Sequence, residues 1–118
     1  MIRSFRELLV WQRSIQLATS VYRLTQGFPR EEIYGLSGQM RRSAVSIPSN
    51  IAEGHGRLNV GEYRQFLGIS KGYNFELQTQ LVIARELGIG QRKLLDESEA
   101  LSHEVGKMLH AILAKLKK

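Results

Sequence analysis

Residues 41–57 read RRSAVSIPSNIAEGHGR. Ala44, Ile47 and Ile51 recur at intervals of three and four, the period of one helix face. Pro48 stands in the middle of that period. A proline inside a helix lacks the N–H that would bond the carbonyl four residues back, here Ala44, and its ring crowds that carbonyl. Because the period continues on both sides, the stretch reads as one bent helix and not as two elements joined by a loop. Ser46, Ser49 and Asn50 are short side chains able to serve the carbonyl freed at Ala44. One of Arg41 and Arg42 is expected to face the bundle or a neighbouring subunit and pair with Glu53 or Glu76, leaving the other exposed. Two functional readings stand beside this structural one: arginines held at a kink to grip phosphate, or a catalytic loop.

Working outward, the second helix spans about Arg30 to His55, with Ile33, Leu36, Met40, Ala44, Ile47 and Ile51 in one stripe. The first runs from about Phe5 to Gln26, with Leu8, Trp11, Ile15, Ala18 and Tyr22 on its apolar side, and Gly27 with Pro29 ends it. Asn59 opens the third as its N-cap, with Glu62 three residues on. Its apolar stripe is Tyr63, Phe66, Ser70, Tyr73, Leu77, Leu81 and Ala84, and Gly88–Gly90 closes it. The fourth starts near Gln91 and carries Leu94, Ser98, Leu101, Val105, Met108, Ile112 and Leu116. Strand-like alternation is sustained nowhere. Four such helices with short connections predict an all-α fold: a single domain over residues 1–118, an antiparallel up-down four-helix bundle with a proline-kinked second helix.

Two helices carry more apolar surface than one core face needs. Val10, Leu17, Val21 and Leu24 form a second ridge on the first helix, and Phe75 and Val82 lie roughly opposite the main stripe of the third. These six residues are the expected interface of a homo-oligomer. Gly68 and Gly72 form a small-xxx-small pair, expected to mark close helix approach.

The chain has 118 residues, 42% of them hydrophobic, and no cysteine, which excludes disulfides and thiolate metal sites. No apolar run approaches the roughly 20 residues needed to span a bilayer, so no membrane role and a cytoplasmic location are expected. A formal net charge of +6 is compatible with nucleic-acid binding. Candidate phosphate contacts are Arg41, Arg42, Arg57, Arg64 and Lys71, with Lys115, Lys117 and Lys118 as a second group. Arg57 and Arg64 flank a helix N-terminus, where free N–H groups also welcome phosphate. On the fourth helix Arg92, Asp96, Glu99, His103, Lys107, His110 and Lys117 share one stripe, read as a solvated face.

Catalytic chemistry is not legible. Asp96 is the only aspartate, which leaves no paired aspartates and a poor Ser-His-Asp candidate. No Glu-x-x-His motif occurs, so a di-iron bundle is not expected. The nearest pairs are Glu53 with His55 and Glu99 with His103. No cofactor and no metal site are expected. The candidate partners are further copies of the chain, RNA or DNA, or a partner protein bound by the oligomer.

The segment FRELLVWQRSIQLATSVYRLTQGFPREEIYGLSGQMRRSAVSIPSNIAEGHGR, followed by EYRQFLGISKGYNFELQTQLVIARELG, resembles the four-helix-bundle proteins of the 23S ribosomal RNA intervening-sequence family. Its most specific parts are FPREEIYGLSGQMRRSAVSIPSNIAEG and FELQTQLVIARELG. That family is related in fold to the accessory protein of diversity-generating retroelements, which is similar to a basic pentameric barrel that binds nucleic acid and a reverse transcriptase. The resemblance implies a homopentamer and no enzymatic activity. It also implies a structural signature at Gln39, Arg42, Ser46, Pro48, Asn50, Ala52, Glu53 and Gly54, most of it fixing the kinked second helix.

Overall fold

The computed structural model describes residues 3–116. Four helices make up the fold: α1 (Leu9–Gln26), α2 (Leu36–His55), α3 (Val60–Leu87) and α4 (Arg92–Lys115). Single 3-10 turns at Phe5–Glu7 and Arg30–Glu32 precede α1 and α2. Each helix packs on its neighbours in sequence, α4 closes the ring on α1, and the diagonal pairs keep their backbones apart. This is the up-down-up-down antiparallel bundle the periodicity predicts. Its long dimension, 44 Å, is that of α3 alone at about 1.5 Å per residue.

The ends are set by local chemistry. Asn59 accepts the Glu62 N–H at 2.8 Å and so caps α3. Gly88 ends the same helix in the left-handed conformation, φ +70°, with the N–H of Ile89 reaching back to the Ala84 carbonyl. Two helices begin later than expected. Ser4 caps the Phe5–Glu7 turn, so α1 starts only at Leu9. Pro29 opens the Arg30–Glu32 turn, and α2 starts at Leu36. Ile33 is therefore outside α2 and half exposed.

The buried positions follow alternating steps of three and four along every helix. On α2 the seam is Ser37, Met40, Ala44, Ile47, Ile51 and Gly54, with Ser43 and Pro48 buried beside it; on α3 it is Leu67, Ser70, Asn74, Leu77, Leu81 and Ala84, with Gln80 beside it; on α4 Leu95, Ser98, Ser102, Val105 and Leu109. That 3.5-residue period is the seam of a coiled-coil-like bundle. The α4 seam keeps Ser98 and Val105 of the stripe read off the sequence, while Leu95, Ser102 and Leu109 take the core places expected of Leu94, Leu101 and Met108, which with Ile112 flank the core.

On α1 the two ridges exchange roles. Val10, Leu17, Val21 and Leu24 are at most 2% exposed and form the centre of the bundle, so they are not an oligomer interface. The stripe expected to be the core holds Ile15 and Tyr22, which are 39% and 42% exposed. Both ridges are apolar and repeat at the same spacing, so periodicity alone does not say which faces inward. Neighbouring helices decide it: Ser20, on the core side, shares a hydrogen bond with Ser98 of α4 at 2.8 Å.

Pro48 is buried within an unbroken α2. The expected repair of the Ala44 carbonyl by Ser46, Ser49 or Asn50 does not form among the described residues. Asn50 donates to the Ser46 carbonyl at 2.8 Å, and Ser70 of α3 donates to the Ile47 carbonyl at 2.9 Å. Neither serves Ala44, and the hydroxyls of Ser46 and Ser49 make no hydrogen bond among the described residues. The adjacent helix thus ties itself to the turn before the proline without serving the carbonyl that the proline frees. The polar core continues at Asn74, whose amide donates to the Ser102 carbonyl and accepts from the Ser102 hydroxyl at 2.9 and 2.8 Å. α2 and α3 approach closely at Gly54, since a Cβ there would sit 2.6 Å from Cβ of Phe66.

Gly68 and Gly72 do not serve close approach within the chain. A Cβ at either would meet nothing within 4 Å. Both are on the outer surface of α3, together with Ile69, Val82 and Ile83, which are 40–54% exposed.

Candidate nucleic-acid interface

The antiparallel topology gathers sequence-distant cations at one end. The N-termini of α1 and α3 and the C-termini of α2 and α4 lie together there. Cut at the midpoints of the helices, this half carries Arg3, Arg6, Arg13, Arg57, Arg64, Lys71, Lys107 and Lys115 against Glu7, Glu53, Glu62 and Glu104. In the other half Arg23, Arg30, Arg41, Arg42, Arg85, Arg92 and Lys93 are matched by Glu31, Glu32, Glu76, Glu86, Asp96, Glu97 and Glu99. Among the described residues the excess positive charge is therefore polarised to one end. Lys117 and Lys118 lie outside them.

The expected phosphate contacts divide accordingly. Arg57, Arg64, Lys71 and Lys115 belong to the basic end; Arg41 and Arg42 do not. Arg41 is built into the fold: its Nε donates to Thr25 Oγ1 at 2.7 Å and its guanidinium lies 4.5 Å from the centre of the Tyr22 ring. The expected pairing of Arg41 or Arg42 with Glu53 or Glu76 does not form among the described residues. Glu53 instead pairs with Arg57 at 2.9 Å, and Glu76 accepts from Ser43 at 2.9 Å. Arg42 is exposed and lines a groove between α2 and α3 with Gln39, Tyr73, Glu76 and Gln80. Gln80 Oε1 is buried there without a hydrogen-bond partner.

At the basic end Arg57 also stacks over Phe66, 4.6 Å from the ring centre. Arg64 donates to the Leu113 carbonyl, one of the last carbonyls of α4 that the helix itself leaves free. The α3 N-terminus is occupied by the chain: Asn59 takes one of its amides, and Glu62 places a carboxylate in the first turn. One free amide between Arg57 and Arg64 is thus already taken by the chain. Lys115 is exposed in the last turn of α4.

Lys71 has a different environment. Its amino group lies 6.0 Å from the centre of the Phe75 ring. Both line an outer groove between α3 and α4 with Gln78, His103, Gly106, Lys107 and His110. The sequence reading placed His103, Lys107 and His110 in one solvated stripe and left them out of the candidate site. Their spacing of four and three matches that of Lys71, Phe75 and Gln78, a pairing visible only once the two helices lie side by side. Further along the same seam Arg85 is saturated by Asp96 at 2.7 Å and Glu99 at 2.9 Å. These hydrogen bonds, Asp96 first, hold its guanidinium above its ordinary pKa.

A family model described as 23S rRNA-intervening sequence protein matches residues 6–111. The chain belongs to this family. A solved structure of a protein with unknown function from the S23 ribosomal protein family of Bacteroides thetaiotaomicron has the same fold, with a TM-score of 0.82. It is 22% identical, and the alignment covers 90% of this chain and 96% of that one. No curated protein matches the chain. Among the described residues no group of three or more His, Cys, Asp or Glu side chains is arranged to hold a metal ion, and no helix is long and apolar enough to cross a membrane.

Proposed function

We propose that this chain is a non-enzymatic scaffold that binds nucleic acid, RNA in the first place, through its basic end and works as a homo-oligomer in the cytoplasm. The observation that carries the reading is the polarised charge: one half of the bundle is balanced, and the other has eight described cations against four carboxylates. A polyanion is the partner such an end attracts. The family description, an rRNA-intervening sequence protein, favours RNA. Self-association is assigned to the outer surface of α3 on its α2 side, away from Phe75, where Ile69 and Ile83 are exposed and Gly68 and Gly72 leave room for another helix. Five copies is the number that the related pentameric fold suggests.

A gel-shift titration of structured RNA at increasing salt tests the binding. Affinity should fall linearly on a log–log plot, by about 0.9 per neutralised phosphate for a duplex. Absent or salt-insensitive binding overturns the reading. Light scattering tests the assembly, and a monomer mass refutes it.

A second reading is a protein-interaction adaptor. Gln80 favours it, because its unpartnered buried oxygen lies in the same α2–α3 groove as the exposed Arg42. Capture of a partner protein that survives nuclease treatment and is lost in Arg42→Ala selects this alternative.

A further inference from the structure

Within that nucleic-acid-binding reading, we propose that the outer α3–α4 groove is a site for unpaired nucleotides, with a base stacked on Phe75 and flanking phosphates held by Lys71 and Lys107.

Lys71, Phe75 and Gln78 stand at i, i+4 and i+7 on α3, and His103, Lys107 and His110 do the same on the antiparallel α4. Each set therefore projects from one side of its helix. Gly106 forms the floor between them: a Cβ there would lie 3.1 Å from Nδ2 of Asn74, so the helices meet closely beneath the groove. The groove has a volume of about 390 Å³, within the range of sites for small organic groups.

Its charge is unopposed. Among the described residues no carboxylate lines it. The neighbouring acids of α4 are engaged elsewhere, Glu99 by Arg85 at 2.9 Å and Glu104 by Arg13 at 2.8 Å. Of the cations spaced by sevens along this edge of α3, Arg64 caps α4 and Arg85 is saturated by acids, whereas Lys71 has no carboxylate within 4 Å among the described residues. Phe75 is 54% exposed and outside the buried seam. An aromatic face beside lysines, with a second cation across the groove, is the arrangement that holds single strands: bases stack on the ring and the backbone follows the charge. Duplex nucleic acid keeps its bases stacked on one another and offers none to Phe75.

The test uses the full chain with uridine and deoxyuridine decamers, and an RNA duplex of the same length, followed by fluorescence anisotropy. Phe75→Ala should weaken decamer binding about tenfold while changing duplex binding less than twofold. Phe75→Tyr, which keeps the ring, should restore it. The double variant Lys71→Gln/Lys107→Gln should lower the decamer salt slope by about 1.4, two phosphates at ~0.7 each. Equal affinity of the two decamers assigns the site to single strands of either sugar, and preference for uridine assigns it to RNA. The inference is overturned if Phe75→Ala binds like the wild type, weakens decamer and duplex alike, or changes the light-scattering mass, which would place Phe75 between copies. If the wild type binds the duplex and Phe75→Ala has no effect on the decamers, this site alone is lost. If the wild type binds none of the three, the wider nucleic-acid reading is lost with it.

Discussion

Ser70 of α3 donates its hydroxyl to the carbonyl of Ile47, the residue before the buried Pro48 of α2, at 2.9 Å. The donor that Pro48 withholds belongs to the Ala44 carbonyl, so this bond does not replace it; it ties α3 to the turn just before the proline. Ser70→Ala takes that donor away at a fully buried position. The expected loss is about 1 kcal/mol, the usual net value of one intramolecular hydrogen bond. Urea unfolding should show a lower midpoint with an unchanged slope. An unshifted midpoint would mean that the Ser70–Ile47 bond adds nothing net to the packing of α3 on α2.

Gly54→Ala should be more damaging. The added methyl would be placed 2.6 Å from Phe66 Cβ and 3.2 Å from Cδ1 of Tyr63, so α2 and α3 must part. Overpacking of this kind costs about 1–3 kcal/mol. A thermal melt several degrees below the wild type is expected, with near-ultraviolet dichroism of the tyrosines altered. A wild-type melt would show that the contact relaxes without cost.

Gly68→Ala and Gly72→Ala separate folding from assembly. Neither added methyl meets anything in the chain, and alanine favours a helix over glycine by about 0.8–1 kcal/mol. Each should therefore stabilise the folded chain in urea unfolding at low concentration. If the outer surface of α3 receives another helix, the same changes weaken the assembly and lower the light-scattering mass. Greater stability with an unchanged mass would remove Gly68 and Gly72 from the subunit contact.

Tyr63 should titrate late. Burial beside Gly54 and the edge of His55 raises its phenol pKa above the usual 10.0. A folded-state pKa above the unfolded one contributes stability that is fully present below about pH 10 and is lost as pH rises through the folded value. Tyr63→Phe should remove that alkaline loss. Absorbance at the phenolate band should then show the latest-ionising tyrosine gone; persistence of that late phase would assign it to another residue.

The bundle was legible because apolar period, caps and breakers agree in this sequence. Asn59, Gly27 and Gly88 act at the ends where their chemistry predicts. The phase of the period was legible on α2, where polar residues leave one apolar seam, and not on α1, where two apolar ridges share the same spacing. Val10, Leu17, Val21 and Leu24 look equally fit for a core or an interface until α2 and α4 enclose them. Similarly, Arg57, Arg64 and Lys71 are visible as cations in the sequence, but their bonding is not. Phe66, Glu53, the Leu113 carbonyl and Phe75 become their partners only through a helix turn or a neighbouring helix.

The sequence by itself determined that four helices form, where they stop, and that Pro48 lies inside one of them, because these follow from steric and hydrogen-bonding rules acting within a few residues. Tertiary structure alone decided which ridge of α1 faces inward, that Ser70 serves the carbonyl beside Pro48, and that Lys71 and Phe75 face His103 and Lys107 across one groove. Those outcomes depend on contacts between residues 23 to 78 positions apart in the examples seen here, from Ser70 with Ile47 to Ser20 with Ser98. Local propensity has no term for them, and burial selects among surfaces that are alike in sequence only when another helix is there to cover one.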